Sequence, residues 1–276
     1  MNIPFWKMHG AGNDFIMIDD REKNFPASDH AWIAETATRR FGVGCDGVIL
    51  IQPPDSAEAD FRMVFYNPDG SEVEMCGNGA RCVSRLAAEI GAAGKDMAFD
   101  TVAGLVRGTL NNDNSVTIGM TPPFDWAFDQ PIEISGKTYT YHQVNTGVPH
   151  VVIEVDDLED LDIMEMGSAI RYHEAFSPSG TNANFIQVTG ANSLTLRTYE
   201  RGVEAETLAC GTGMTACGLI AAKLGKVSAP VQVTCKAGDV IEINFTNTEE
   251  GATEVTMKGP AVHVFQGELQ YANNPS

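Results

Sequence analysis

The tetrapeptide Cys-Gly-x-Gly occurs twice in this chain, and that repetition constrains the fold more than any other feature. The first copy reads Cys76-Gly-Asn-Gly-Ala-Arg-Cys82, and its alanine-rich continuation closes at Gly91. The second reads Cys210-Gly-Thr-Gly-Met-Thr-Ala-Cys217 and closes at Gly225. A glycine that ends an apolar helical stretch is a C-terminal cap signal. The copies stand about half a chain length apart. Two copies are too few for a solenoid; they fit two similar halves. A chain of 276 residues is long for one core and comfortable for two.

Short apolar runs bounded by turn residues recur along the chain, among them Phe15–Ile18, Gly47–Ile51, Phe61–Tyr66, Leu194–Tyr199 and Val240–Phe245. Helical patterning is confined to Asp29–Phe41, Gly79–Ile90 and Gly213–Leu224, with a weaker segment at Glu165–Tyr172. Strands with scattered helices predict an α+β class with mostly antiparallel sheets. The segment Thr121–Pro131 carries three prolines and is read as the linker between halves. The expected domains are residues 1–121 and 122–262.

Asp and Glu number 37 against 18 Lys and Arg, a formal charge of -19. A surface this acidic repels nucleic acids and anionic membranes, so neither is expected as a partner. The start, MNIPFWKMHG, has no basic region followed by a long apolar core, and no apolar run reaches the ~20 residues of a membrane span. A cytoplasmic location is expected. Six cysteines are too sparse for a disulfide scaffold and would stay reduced there.

The chemistry follows from where the repeat places its first cysteine. Each Cys-Gly-x-Gly stands just before a helical stretch. A helix N-terminus presents unpaired N–H groups and a partial positive charge. That environment raises the thiolate fraction of a thiol and also holds a carboxylate. If the halves face one another, one thiolate removes a proton from a carbon and the opposite thiol delivers one to its other face. The centre inverts. The reverse reaction exchanges the roles, so a nearly symmetric reaction suits a nearly symmetric chain.

The other cysteines read differently. Cys45 and Cys235 are expected to be buried apolar groups. Cys82 and Cys217 fall inside the helical stretches, where packing is expected. Zinc-ligand spacing is absent: the gaps of five and six residues miss the usual Cys-x2–4-Cys pairs. There is no Cys-x-x-Cys redox motif and no complete phosphate-binding glycine fingerprint.

Six stretches together resemble the diaminopimelate epimerase family. They are Lys7-Met-His-Gly-Ala-Gly-Asn-Asp-Phe15, Gly42-Val-Gly-Cys-Asp-Gly47, Tyr66-Asn-Pro-Asp-Gly-Ser71, Met75 through Cys82, Thr181-Asn-Ala-Asn-Phe185, and Glu200 through Gly213. The resemblance implies two pseudo-symmetric domains, each a curled sheet around a central helix. It also implies that the last strand, within 263–276, returns to the first domain. The implied reaction interconverts LL- and meso-diaminopimelate, toward lysine and peptidoglycan precursors, with neither pyridoxal phosphate nor metal. A homodimer is implied as well.

By the same resemblance Cys76 and Cys210 are the catalytic pair. Gly77 and Asn78, with Gly211 and Thr212, hold the reacting end of the substrate. Asn13, Asn67, Asn182, Glu200 and Arg201 are substrate-binding positions. Their chemistry suits a molecule with two amino-acid ends: amides both donate and accept, Arg201 grips a carboxylate, and Glu200 accepts from an ammonium. Spacing alone leaves open that Glu200 and Arg201 are a solvated surface pair.

Three positions depart from the family pattern. Gly47 stands where many relatives have glutamine, and Val148 where many have asparagine. The loop from Arg201 to Cys210 is one residue longer than its commonest form. His150 is read as an accessory or structural histidine. The competing enzyme reading is a proline or hydroxyproline racemase, which also uses two facing cysteines. A third reading is a binding protein that kept the cleft without turnover.

Overall fold

A computed structural model describes residues 1–272. The chain forms two compact units, Met1–Ile118 with the segment from Gly259 onward, and Gly119–Lys258. Residues 273–276 of the expected returning strand lie outside the described residues.

The first unit contains strands β1 (Asn2–Gly10), β2 (Asn13–Asp19), β3 (Gly47–Gln52), β4 (Phe61–Tyr66), β5 (Glu72–Val73), β6 (Asp96–Thr101), β7 (Gly104–Leu110) and β8 (Val116–Gly119). Helix α1 (His30–Ala37) lies between β2 and β3, and α2 (Gly77–Glu89) between β5 and β6. The second unit contains β9 (Phe124–Ile134), β10 (Lys137–Asn145), β11 (Pro149–Glu154), β12 (Asn182–Gly190), β13 (Ser193–Glu200), β14 (Ala205–Thr207), β15 (Val231–Thr234), β16 (Val240–Asn247) and β17 (Ala252–Gly259). Helix α3 (Ile163–Arg171) lies between β11 and β12, and α4 (Gly211–Lys223) between β14 and β15. The final strand, β18 (Val262–Gln270), pairs antiparallel with β1 of the first unit.

The repeat seen in the two cysteine motifs extends to strand pairing. In the first unit β2 runs parallel to β3 and β4 parallel to β6, while β1–β2, β3–β4, β4–β5, β6–β7 and β7–β8 are antiparallel. In the second unit β11 runs parallel to β12 and β13 parallel to β15, while β10–β11, β12–β13, β13–β14, β15–β16 and β16–β17 are antiparallel. The β18–β1 pair has its counterpart in β9–β10. Both units are therefore the same topology written with different residues. It is the α+β, mostly antiparallel class that the apolar runs predict.

Each sheet curls around its own buried helix. Helix α2 packs on β1, β2, β3 and β7, and α4 on β10, β11, β12, β13, β15 and β16. The α2 stretch from Gly77 to Ser84 is wholly buried, and nearly all of α4 up to Ala221 is too. A helix enclosed on so many sides needs small residues to let strands approach. Alanine and glycine supply them without losing helix length. The peripheral helices start on acidic caps: Asp29 accepts from Trp32 N, and Asp162 from Glu165 N. In each unit the outer face of the sheet carries a second apolar layer under its peripheral helix. One is built on Ile16, Ile18, Ile33 and Leu50, the other on Val151, Ile153, Ile163 and Phe185.

The proline-rich segment is not an unstructured linker. Pro122 and Pro123 precede β9, and Pro131 lies within it, opposite Thr140 of β10. The ladder keeps its register through Pro131, from Lys137–Ile134 to Tyr141–Gln130, and shifts only beyond it, between Tyr141 and Gln143 and again before Asn145.

Candidate active site

Cys76 and Cys210 occupy equivalent places: each is the N-cap residue of the central helix of its unit, in extended backbone conformation. Neither sulfur accepts a capping hydrogen bond from its own helix. Cys76 is half-buried, and Cys210 is 7% exposed. None of the six cysteines is in a disulfide.

Around Cys76 the first unit assembles three of the expected residues. Gly77 and Asn78 open α2, and Asn13 opens β2. The Cys76 sulfur donates to Asn13 Oδ1 at 3.5 Å, and Asn78 Nδ2 donates to the same oxygen at 3.3 Å. Asn13 Nδ2 in turn donates to Asp46 Oδ2 at 2.8 Å. Asn78 Oδ1 accepts from the wholly buried Arg81 at 3.0 Å. Asn67 stands apart from this chain of bonds. Its backbone closes the turn after β4, donating to Ser71 O and accepting from Gly70 N, the turn role common to asparagine.

Behind Asn13 lies a charged cluster. Lys7 Nζ sits 2.6 Å from Asp14 Oδ2 and also donates to the Gly44 carbonyl. Arg39 bridges Asp14 at 2.5 Å and Asp46 at 2.9 Å. Partial burial opposes charge on Asp14, yet the bonds from Arg39 and Lys7 win and hold its carboxyl below the usual range.

Around Cys210 the second unit assembles the rest. Gly211 and Thr212 open α4, and Thr212 Oγ1 lies 3.5 Å from the Cys210 sulfur. The Thr212 carbonyl accepts from Thr146 Oγ1 at 3.0 Å, which ties the start of α4 to the end of β10. Asn182 opens β12. Its Nδ2 donates to Pro149 O at 3.0 Å and its Oδ1 accepts from Arg201 N at 2.9 Å. Glu200 ends β13 and accepts from Thr207 Oγ1 at 2.7 Å. Arg201 donates to Ser179 O at 3.2 Å. Both Glu200 and Arg201 are half-buried and engaged by the backbone and by β14, so they are not a freely solvated surface pair.

Beneath this half-site Asn184 is fully buried and donates to Val151 O at 2.8 Å. Its Nδ2 lies 3.2 Å from His150 Nδ1, and its Oδ1 accepts from Thr198 Oγ1 at 2.9 Å. Burial, with a smaller contribution from the Arg201 charge, pushes His150 down to about 3. The ring is therefore neutral, with Nδ1 accepting from the amide. Its Nε2 is buried without a hydrogen-bond partner among the described residues.

The remaining thiols behave as packing groups. Burial pushes Cys45 up to about 11 and Cys82 up to about 12, and raises Cys217 and Cys235 as well. Deprotonation is disfavoured at all four. Among the described residues, no group of three or more His, Cys, Asp or Glu is placed to hold a metal ion. No helix among them is long and apolar enough to cross a membrane.

Two of the three departures have visible causes. A Cβ on Gly47 would lie 2.2 Å from Phe65 Cε2 and 2.9 Å from Tyr66 O, so the Phe65 ring fills the space a longer side chain would need. In the loop after β13, Glu204 adopts a positive φ of 59°, accepts from Gly202 N, and pairs with Arg171 at 3.0 Å. The loop is thereby closed on itself and anchored to α3. Nothing in the structure explains Val148.

Sequence reasoning passed over Asp46, Arg81, Thr146 and Asn184. Three of them sit inside the stretches that carry the family resemblance, and their ionic or amide character was the available signal. Thr146 carries no such signal.

A model of the family described as diaminopimelate epimerase matches residues 5–124 and 142–264. The chain belongs to the diaminopimelate epimerase family. As a member it is an enzyme, an isomerase. The diaminopimelate epimerase of Aquifex aeolicus is 42% identical over 276 residues, covering 97% of this chain and 98% of that protein. The diaminopimelate epimerase of Archaeoglobus fulgidus is 41% identical over 285 residues, covering 98% of this chain and 97% of its own length. Among solved structures, a probable proline racemase from Agrobacterium radiobacter aligns with a TM-score of 0.71 at 18% identity, covering 99% of this chain and 94% of its own. A phenazine biosynthesis protein of the PhzF family from Bacillus anthracis aligns with a TM-score of 0.74 at 15% identity, covering 98% and 100%. At such low identity these two share the fold alone.

Proposed function

We propose that this enzyme interconverts LL- and meso-diaminopimelate without a cofactor, by a two-base mechanism on Cys76 and Cys210. The observation that carries the reading is the paired placement of these cysteines. Each caps the buried central helix of one of two topologically identical units, in a chain whose relatives carry that activity in their names. One sulfur, as thiolate, takes the α-proton of the substrate. The electron pair left on carbon delocalises into the adjoining carboxylate, and N–H groups at the helix starts offset the charge that develops there. The other sulfur, as thiol, gives its proton to the opposite face. The two cysteines end with their protonation states exchanged, and the reverse reaction restores them.

In this reading Gly77, Asn78, Gly211 and Thr212 hold the reacting end of the substrate. Asn13, Asn67, Asn182, Glu200 and Arg201 take its ammonium and carboxylate groups. The product would feed lysine and peptidoglycan-precursor synthesis, and the working enzyme would be a cytoplasmic homodimer. The test is turnover of reduced enzyme on LL-diaminopimelate beside L-proline and hydroxyproline. Conversion to the meso form with no turnover of either ring substrate supports the reading. Turnover of proline alone overturns the substrate.

A further inference from the structure

The two ends of the Asn13 carboxamide are held unequally. Its Nδ2 donates to Asp46 Oδ2 at 2.8 Å, whereas its Oδ1 takes longer contacts, from Asn78 Nδ2 at 3.3 Å and the Cys76 sulfur at 3.5 Å. The amide contact exceeds the ordinary N–H···O range of about 2.7–3.2 Å, so a better-placed donor can displace it at little cost. Asn182 is different: both ends of its carboxamide are committed to backbone at short range, to Pro149 O at 3.0 Å and Arg201 N at 2.9 Å. Asn13 is half-buried, so its oxygen is within reach of a ligand.

Asp46 fixes which end of Asn13 faces the site. A carboxylate paired with Arg39 at 2.9 Å only accepts. Asp46 is itself held in place: Oδ2 also accepts from Asp14 N at 3.2 Å, and its own backbone N donates to Asp14 O at 2.8 Å. Arg39 ties the same two acids together from outside, reaching Asp14 at 2.5 Å. Turning the Asn13 carboxamide over would set its oxygen against the Asp46 carboxylate and its NH2 against that of Asn78. Both meetings are unfavourable, so a hydrogen-bond acceptor, and not a donor, is presented beside Cys76 and the start of α2.

We infer that Asp46 is a positioning residue for substrate polarity: it fixes Asn13 as the group that takes the ammonium on the reacting carbon, and not a carboxylate. The inference deepens the diaminopimelate reading above and rests on it. The neighbouring chemistry is complementary. N–H groups at the start of α2 favour an anion, so the α-carboxylate belongs there. The Asn13 oxygen, 3.5 Å from the sulfur that exchanges the α-proton, receives the ammonium carried by the same carbon. One half-site thereby reads both polar groups of an amino-acid end, one with donors and one with an acceptor.

The test is calorimetric titration of the reduced full-length enzyme, beside Asp46→Ala and Asp46→Asn, with two ligands. One is an equilibrated mixture of LL- and meso-diaminopimelate. The other is pimelate, the same carbon chain with both carboxylates and no ammonium group. In Asp46→Ala the affinity for diaminopimelate should fall about tenfold, while that for pimelate falls less than about twofold. Asp46→Asn removes the same charge but keeps an oxygen for Asn13 Nδ2, so its loss on diaminopimelate should be clearly smaller. Equal losses on the two ligands in folded Asp46→Ala, an unchanged affinity for diaminopimelate, or equal losses in the two variants would overturn the inference. NMR of the Asn13 side-chain amide reads the anchor with no ligand present. Its NH2 protons should exchange with solvent about tenfold faster in Asp46→Ala, and unchanged exchange would also overturn the inference. A wild type that neither binds nor turns over diaminopimelate, beside the expected change in exchange, would fail the substrate reading and leave Asp46 as the residue that points the Asn13 oxygen toward α2.

Discussion

The carboxamide of Asn184 lies against Gly213 in the first turn of α4: a Cβ on Gly213 would stand 2.6 Å from Asn184 Oδ1 and 3.3 Å from the Cys210 sulfur. Asn184 cannot retreat, because Val151 O, His150 and Thr198 hold it from three sides. The second glycine of Cys-Gly-Thr-Gly is therefore required by close approach. Gly213→Ala should push the start of α4 away and carry Cys210 with it. We expect a loss of about 1–3 kcal/mol in stability and about a hundredfold in kcat, measured by urea unfolding and by steady-state kinetics.

The same network makes stability depend on acid. His150 is held neutral by burial, down to about 3, against an ordinary value near 6.5. Between those values the unfolded chain binds a proton that the folded chain does not. Its contribution to stability is thus fully present above about pH 6.5 and is lost as pH falls toward 3, at about 1.4 kcal/mol per unit. Urea midpoints taken from pH 7 to pH 4 should fall less steeply in His150→Gln than in the wild type.

Gly47 gives a packing test. With Phe65 Cε2 2.2 Å from its Cβ position, Gly47→Ala should cost about 1–3 kcal/mol. Phe65→Leu in the same chain should return part of that loss. Thermal unfolding of the two single variants and the double variant measures the coupling, and strict additivity would deny the clash.

Arg197 ties the approach to α3 onto the strands that precede Cys210. It grips Glu206 through two bonds, at 2.6 and 3.0 Å, and donates to Leu158 O at 2.7 Å and Leu161 O at 2.9 Å. Arg197→Met leaves the two carbonyls without this donor and Glu206 with only the more distant Lys236, at 3.7 Å, in a site only 15% exposed on the arginine side. A loss of about 2–3 kcal/mol is expected by chemical denaturation, larger than that of Glu206→Gln.

Much of the fold was legible because its signals are local. The Phe61–Tyr66 run is the strand β4 to the residue. Asp29 does cap a helix, which ends at Ala37 rather than Phe41, because the Thr38 backbone turns extended. The helices after the cysteines begin two residues earlier than their periodicity suggests, at Gly77 and Gly211, because the cysteine itself is the cap. Strands such as β9 and β10 were hidden, since their exposed, polar and proline-bearing residues alternate only weakly. The candidate site was legible at its cysteines and less so at the groups that orient them. Asp46, Arg81 and Asn184 act through another side chain, and which side chain depends on pairings such as Asn13 against Gly10, where β2 turns back on β1. No local pattern encodes that meeting.

The most direct test of two-base epimerisation is proton NMR of LL-diaminopimelate in D2O with reduced wild-type enzyme, beside Cys76→Ala and Cys210→Ala. The account predicts loss of the α-proton signal as the meso form appears. It predicts a fall of about 10²–10⁴-fold in each variant, with circular dichroism showing both folded. No α-proton exchange by the folded, reduced wild type, or undiminished epimerisation by either variant, would contradict it.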